Sequence, residues 1–293
     1  MTLFTRPVAL LCMLLSLVFA NYACAQLPPE NDGTDVNPTT HHAADTAAIR
    51  LHRLRHLDAE LNTDPLVLRA RCRYESEISS PPPAKKIALT FDDGPEPGQT
   101  EYILAVLKRH GIKATFFVIG EQVRKYPQLM ALVASQGHHL IANHSWDHPN
   151  FHDLTVPEQA LEVEKTGLVL GPNVGKKYFR YPFGNSSCQT NQLLHATGYK
   201  IVGWHVDSCD WAFDKTGSVD AKEAATCGVL AQFHNDFVGH VLSAIRAHNG
   251  GIILMHEIHP NTLRKLDNII QAALADGYSF DSLDSPEFEG SMR

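Results

Sequence analysis

The sequence predicts an α/β fold of parallel strands with helices packed outside them, and three observations point there. Helical patterns are repeatedly followed by a glycine and a short apolar run, as in "VLKRHGIKATFFVIG", "LVASQGHHLIANH", "LLHATGYKIVGWHV", "IRAHNGGIILMH" and "ALADGYSFDSL". A glycine just past a helix is the left-handed cap that turns the chain into its next strand. Strand-helix alternation of this kind gives a parallel sheet, either closed as an α/β barrel or open and doubly wound. Finally, five apolar runs end in polar clusters, and both architectures place their chemistry at the carboxyl ends of strands.

Residues 1–25 read as a secretory signal: Arg6 supplies the positive start, "VALLCMLLSLVFA" the apolar stretch, and "ACA" a cleavage site after Ala25. An apolar run of 13 residues is short for a membrane span. Cleavage before Cys24, as in a lipoprotein, is disfavoured by Asn21 and Tyr22. Residues 26–83 form a small N-terminal extension. It opens with a polar, Pro-rich stretch, then Leu51, Leu54, Leu57 and Leu61 recur at helical spacing until "NTDP". "PLVLRARCRY" alternates as a strand or short helix, with Arg69, Arg71 and Arg73 on a solvated face, and "SSPPPAKK" closes the extension as a stiff linker. The repeating α/β region occupies 84–293.

Composition narrows the function. A chain of 293 residues with 44% hydrophobic and 19% charged residues has enough apolar surface for a sizeable core. Its formal net charge of -7 argues against nucleic acid as a partner, which calls for a basic face. Of six cysteines, Cys12 and Cys24 lie in the signal. Cys72, Cys188, Cys209 and Cys227 remain, with three pairings open in an oxidising compartment and no CxxC to suggest a zinc ribbon.

The strand ends carry the chemistry. "KIALTF" runs into Asp92 and Asp93, two adjacent carboxylates that cannot both face inward along a regular strand. At a strand end before Gly94 and Pro95 the backbone can turn so that both reach one cavity, one holding a metal and the other acting as a base. "HSWDH" sets His144 and His148 four apart, a spacing that suits one side of a helical turn. Two imidazoles and a carboxylate make a facial site that leaves positions for water and substrate. His256 closes "IILMH" as a second acid/base group, with Asp207 as a carboxylate able to hold it charged. Arg180 can pin Asp92, and Trp211 can stack on a sugar face.

In order, "TFDDGP" (90–95), "HSWDH" (144–148), "RYPFG" (180–184), "DSCDW" (207–211) and "LMH" (254–256) resemble the motifs of the polysaccharide deacetylase family, carbohydrate esterase family 4, over residues 86 to about 283. The resemblance implies a distorted (β/α) barrel that hydrolyses N-acetyl or O-acetyl groups on polysaccharides with a divalent cation, Zn2+ in first place and Co2+, Ni2+ or Mn2+ as substitutes. It implies Asp93, His144 and His148 as metal ligands, Asp92 as general base and His256 as general acid. It further implies that Arg180 orients Asp92, that Asp207 pairs with His256, and that Trp211 and Leu254 shape a pocket for the acetyl methyl. A backbone N–H near Phe183 would help hold the oxyanion. Phe183 departs from the tyrosine common in the third motif, so any hydroxyl contact to sugar is absent.

The expected substrate is N-acetylglucosamine of peptidoglycan, reached by a chain exported to the periplasm or beyond. Chitin oligomers, an exopolysaccharide and acetylxylan esters are the alternatives. A non-catalytic carbohydrate-binding protein on the same fold, or a non-haem iron oxygenase using a similar ligand set, are weaker readings.

Overall fold

The computed structural model describes residues 80–293 apart from 172–175 and 215, together with Cys72, residues 74–76 and Ile78. The expected signal and the leucine-spaced helix lie outside the described residues. Of the expected strand at 65–74, Cys72 and Tyr74 are described, and Tyr74 makes an isolated antiparallel bridge with Asn185. No helix among the described residues is long and apolar enough to cross a membrane.

Among the described residues, eight strands build one sheet: β1 (Lys86–Gly94), β2 (Thr115–Val118), β3 (Leu140–Asn143), β4 (Tyr178–Phe179), β5 (Lys200–Ile201), β6 (Val206–Asp207), β7 (Gly250–His256) and β8 (Ser279–Phe280). Their order is β5-β4-β3-β2-β1-β7-β6, with β8 added beside the first residues of β1. Every pairing between these strands is parallel, as the helix-strand rhythm predicts. The helices between them include α1 (Gln99–His110), α2 (Gly120–Lys125), α3 (Pro127–Ser135), α4 (Val156–Leu170), α5 (Cys188–Ala196), α6 (Asp210–Phe213), α7 (Ala221–Cys227), α8 (Phe237–His248) and α9 (Pro260–Ala275).

Period-two alternation divides the interior into two layers. Ile87, Leu89 and Phe91 of β1 join Ile103 and Leu107 of α1 and Leu266 and Ile270 of α9 in the large core beneath the helices. Ala88, on the other face of β1, joins Phe117, Ala142, Tyr178, Val202, Ile252, Leu283 and Phe288 inside the curve of the sheet. Each fully buried Leu, Ile or Phe contributes roughly 1.5–3 kcal/mol, so both layers hold the sheet in shape. Further along the same inner face of β1 come Thr90 and Asp92, so the inner layer is apolar at one end and polar at the other.

Helix stops follow the sequence in most places. Gly111 caps α1 in the left-handed conformation. After α8, however, the left-handed cap is Asn249, and the two glycines that follow open β7 instead. Asparagine tolerates this conformation because its short amide can bond locally. Gly250 is needed at the strand start for another reason: a Cβ there would stand 2.3 Å from the Lys86 carbonyl.

The edge strands β5 and β6 do not pair with each other. Their gap is filled from both sides of the domain. Trp204 N–H donates to Ser76 O at 2.7 Å and Ile78 N–H to Trp204 O at 3.1 Å, while Met292 bridges Val202 and Arg293 N–H donates to Ile201 O at 2.9 Å. Disulfides join Cys72 to Cys188 and Cys209 to Cys227, so the end of the N-terminal extension is tied to α5 and the start of α6 to the end of α7.

Gly203 sits in this seam, where a Cβ would meet Ser76 O at 2.1 Å. Gly203→Ala is therefore expected to lower stability by about 1–3 kcal/mol. Gly290→Ala, where a Cβ meets nothing within 4 Å, should stay within about 0.5 kcal/mol of the parent. Paired denaturant titrations check both, and equal effects would show that the seam tolerates displacement.

Candidate active site

The two adjacent aspartates share one cavity because β1 contains a bulge. Asp92 pairs in register with Phe117 and Gly94 with Val118, which leaves Asp93 as the extra residue, at φ 74°. A one-residue bulge re-aims the side chain that follows it, and here both carboxylates end up buried. Left-handed backbone recurs in the other motifs, at Ser145 (71°), His148 (62°), Phe183 (57°) and Cys209 (56°). Each such residue costs about 1–2 kcal/mol, which the surrounding contacts must outweigh.

His144 and His148 do not lie on a helical turn, as their spacing predicts. Residues 144–148 are an irregular loop, and the left-handed Ser145 and His148 bring the two rings to 5.0 Å. An amide, a hydroxyl and a carboxylate hold the loop: Asn143 Oδ1 accepts from Ser145 N–H, Ser145 Oγ accepts from His148 N–H, and Glu162 of α4 accepts from Trp146 and Asp147 N–H.

Asp93 Oδ1 stands 3.5 Å from His144 Nε2 and 3.3 Å from His148 Nε2, and neither Asp93 oxygen has a hydrogen-bond partner among the described residues. Ligands sharing one cation through bonds of about 2.0–2.2 Å stand roughly 3.3–3.6 Å apart in a tetrahedron. The three residues therefore form a group that can hold a metal ion, and the orphaned carboxylate fits that use. His144 Nδ1 pairs with the Arg180 carbonyl at 2.8 Å; with the proton there, Nε2 keeps its lone pair for a cation, the usual device for orienting a metal-binding imidazole. Burial would raise Asp93, but His148, His144 and His256 hold its carboxyl well below the usual range.

Arg180 is buried and fully engaged. Its guanidinium donates to Asp92 Oδ1 (2.7 Å), Thr90 Oγ1 (2.8 Å) and the carbonyls of Val202 (3.2 Å) and Gly203 (3.0 Å), and it lies 4.1 Å from the centre of the Phe117 ring. Asp92 is thus held by Oδ1, while Oδ2 stands 3.6 Å from His144 Nε2. On β7, the register partner of Asp92 is His256, so the two face each other across adjacent strands.

The carboxylate on His256 is Asp210, a correction to the expected Asp207. His256 Nδ1 pairs with Asp210 Oδ1 at 2.7 Å, and its backbone N–H donates to Asp210 Oδ2 at 2.7 Å. Asp207 Oδ1 instead accepts from Cys209 N–H at 2.8 Å, closing a tight turn in which the left-handed Cys209 reverses the chain. That turn delivers Asp210, the first residue of α6, to the end of β7. Burial would lower His256, but Asp210, with smaller help from Asp93 and Asp92, carries it up to about 9. Burial also lifts Asp207, to about 6.

The remaining expected residues surround this set unevenly. The Phe183 ring packs edge-on against His148 at 4.7 Å. Leu254 lies on β7 in register with Thr90 and Asp207, two residues before His256 on the same face. Trp211 is half-buried against the large core, and its backbone N–H donates to Asp210 Oδ1. Besides Asp210, the sequence assigns no role to Glu257, a polar residue at the end of the "GGIILM" run, or to His259. Both follow His256 closely in "HEIHP", and both are buried. Glu257 faces α1, where Thr100 donates to Oε2, and burial, reinforced by Asp93, Glu96 and Asp92, pushes its carboxyl up to about 8.

Residues 79–202 match the family described as Polysaccharide deacetylase. The chain is 35% identical over 204 residues to the peptidoglycan-N-acetylglucosamine deacetylase PgdA of Listeria monocytogenes, covering 68% of this chain and 38% of that relative's length. It is 33% identical over 212 residues to the peptidoglycan-N-acetylmuramic acid deacetylase PdaA of Bacillus subtilis, covering 71% of this chain and 74% of PdaA. Among solved structures, that of the Bc1960 peptidoglycan N-acetylglucosamine deacetylase is similar with a TM-score of 0.60 at 29% identity, covering 75% of this chain and 95% of that one.

Glu257 makes stability depend on pH. With a folded value of about 8 against an ordinary 4.5, the folded protein keeps a proton that the unfolded chain releases, so stability declines as pH rises from about 4.5 to about 8. Glu257→Gln cannot titrate, and thermal melts should show it gaining on the parent between pH 5 and pH 8. A difference that does not change with pH would mean that Glu257 is ionised in the folded state.

Proposed function

The chain belongs to the polysaccharide deacetylase family, and from that premise we propose that it is a metal-dependent hydrolase removing N-acetyl groups from a polysaccharide, first of all from N-acetylglucosamine of peptidoglycan. The observation that carries this reading is the pairing of Asp92 and His256 across neighbouring strands beside the Asp93, His144 and His148 group: a base and an acid flank one metal-binding centre. The names of the peptidoglycan-modifying relatives support the choice of polymer. Chitin oligomers, an exopolysaccharide and acetylxylan esters are the substrates to test beside it.

An acetamide is a weak electrophile with a poor leaving group, so both ends need activation. Asp93, His144 and His148 would hold a divalent cation, Zn2+ in first place, which would supply Lewis acidity toward the carbonyl and the water. Asp92 takes the proton of the attacking water on Oδ2, because Arg180 occupies Oδ1 and fixes the carboxylate plane. A backbone N–H near Phe183 supports the developing oxyanion, and Leu254 with Trp211 bounds the space for the acetyl methyl.

His256 enters the reaction protonated. Its Nδ1 is engaged by Asp210, so Nε2 faces the departing nitrogen and passes it a proton as the carbon-nitrogen bond breaks. Acetate and a free amine result. In this reading the catalytic domain spans 84–293, and residues 1–25 direct export with cleavage near Ala25, which brings the enzyme to an extracytoplasmic polymer.

The test is acetate release from peptidoglycan and from chitin oligomers, with and without chelator. Chelator-sensitive release is expected, and a metal-loaded protein that releases no acetate from any acetylated polymer overturns the assignment. His256→Ala should keep the metal and lose roughly two to four orders of magnitude in turnover. Activity should fall as pH rises through about 9, where His256 gives up its proton. Asp210→Asn removes the charge that raises His256, so the alkaline limb of kcat/KM should move to lower pH; an unmoved limb would assign it to another group.

A further inference from the structure

We propose that Asp210, His256 and His259 form a second divalent-cation site, and that an ion bound there inhibits the enzyme. One donor atom from each of the three lies within 4.8 Å of the others, and no residue is shared with the Asp93, His144 and His148 group. Transition-metal ligands at about 2.0–2.2 Å stand closer together than that limit, so small side-chain movements complete the site.

His259 is the independent pointer to a ligand. It is 4% exposed, and neither ring nitrogen has a hydrogen-bond partner among the described residues. It occupies the N-cap position of α9 without capping it, so helix initiation does not account for an imidazole there. Its ring stands 5.5 Å from that of His256, nearly perpendicular. Asp214 Oδ2 lies 3.3 Å from His259 Nδ1 without completing a hydrogen bond, in the position from which outer carboxylates orient metal-bound histidines.

The inhibitory consequence rests on the reading of His256 as the general acid. A metal binds the unprotonated imidazole, so filling the site expels the proton that His256 must give to the leaving nitrogen. The ion also competes with His256 for the Asp210 carboxylate that aligns the ring. The catalytic cation and the inhibitory one therefore act oppositely: the first equivalent activates and the second suppresses.

The experiment is equilibrium dialysis of the full, untagged chain against Zn2+, counting bound metal by atomic emission while following acetate release. Two ions per chain are expected, with activity peaking near one equivalent and falling at least tenfold as the second binds. His259→Gln and His256→Ala should each bind one ion. Asp93→Asn should lose the first site and keep the second. For His259→Gln, the zinc concentration that halves its own maximal activity should rise at least tenfold. A single ion in the parent, or a second equivalent that survives both histidine substitutions, overturns the site. Two ions that depend on His256 and His259, with no acetate release from any polymer, would uphold the site while sinking the deacetylase assignment.

Discussion

The Arg180–Asp92 pair is the constraint around which the inner face is organised. Withdrawing two charges from water costs several kcal/mol per ion, and such a pair persists only where further hydrogen bonds and good geometry compensate. Arg180 meets that condition with hydrogen bonds to β1 and to the carbonyls of Val202 and Gly203 that follow β5, and by stacking on Phe117 of β2. A single side chain at the end of β4 thus braces strands that are not neighbours in the sheet. Its own carbonyl pairs with His144, so the same residue that fixes Asp92 also orients the His144 ring.

The chemistry around that brace sits on backbone that ordinary side chains disfavour. Asp93, Ser145, His148, Phe183 and Cys209 all have positive φ, and together they form the turns that aim Asp93, His148 and Asp210. The apolar layers supply the stability that offsets this strain: Ala88, Ile252 and Phe288 help fill the inner layer, and Phe117, in register with Asp92, closes it against the charged pair. Rigid packing and strained turns are two parts of one arrangement, since the site needs fixed positions more than favourable local conformations.

Much of this was legible in the sequence because it follows local rules. Glycines past helices and apolar runs ending in polar clusters identified parallel strands and the end of the sheet that carries the charged residues, and the paired aspartates required a departure from strand geometry that proved to be a bulge at Asp93. What escaped depends on through-space approach. The spacing of His144 and His148 mimics a helix, yet two left-handed residues produce the same proximity in a loop. Asp207 and Asp210 are equivalent in composition, and only the reversal at Cys209 decides which reaches His256. Strands of two residues, such as β4 and β6, are too short to show a period. The disulfides join residues 116 and 18 positions apart, a choice that sequence leaves open.

The seam between β5 and β6 has a consequence for the order of events during biosynthesis. One of its edges is completed by Ser76 and Ile78, made before any strand of the sheet, and the other by Met292 and Arg293, made after all of them. The first segment meets its partner once Trp204 is made, whereas Ile201 and Val202 wait for Arg293 and Met292, about ninety residues further on. Helix-strand units need only neighbouring segments to form, but the outer side of β5 depends on residues far along the chain, so a chain cut short of Met292 leaves the Ile201 N–H and carbonyl without their partners.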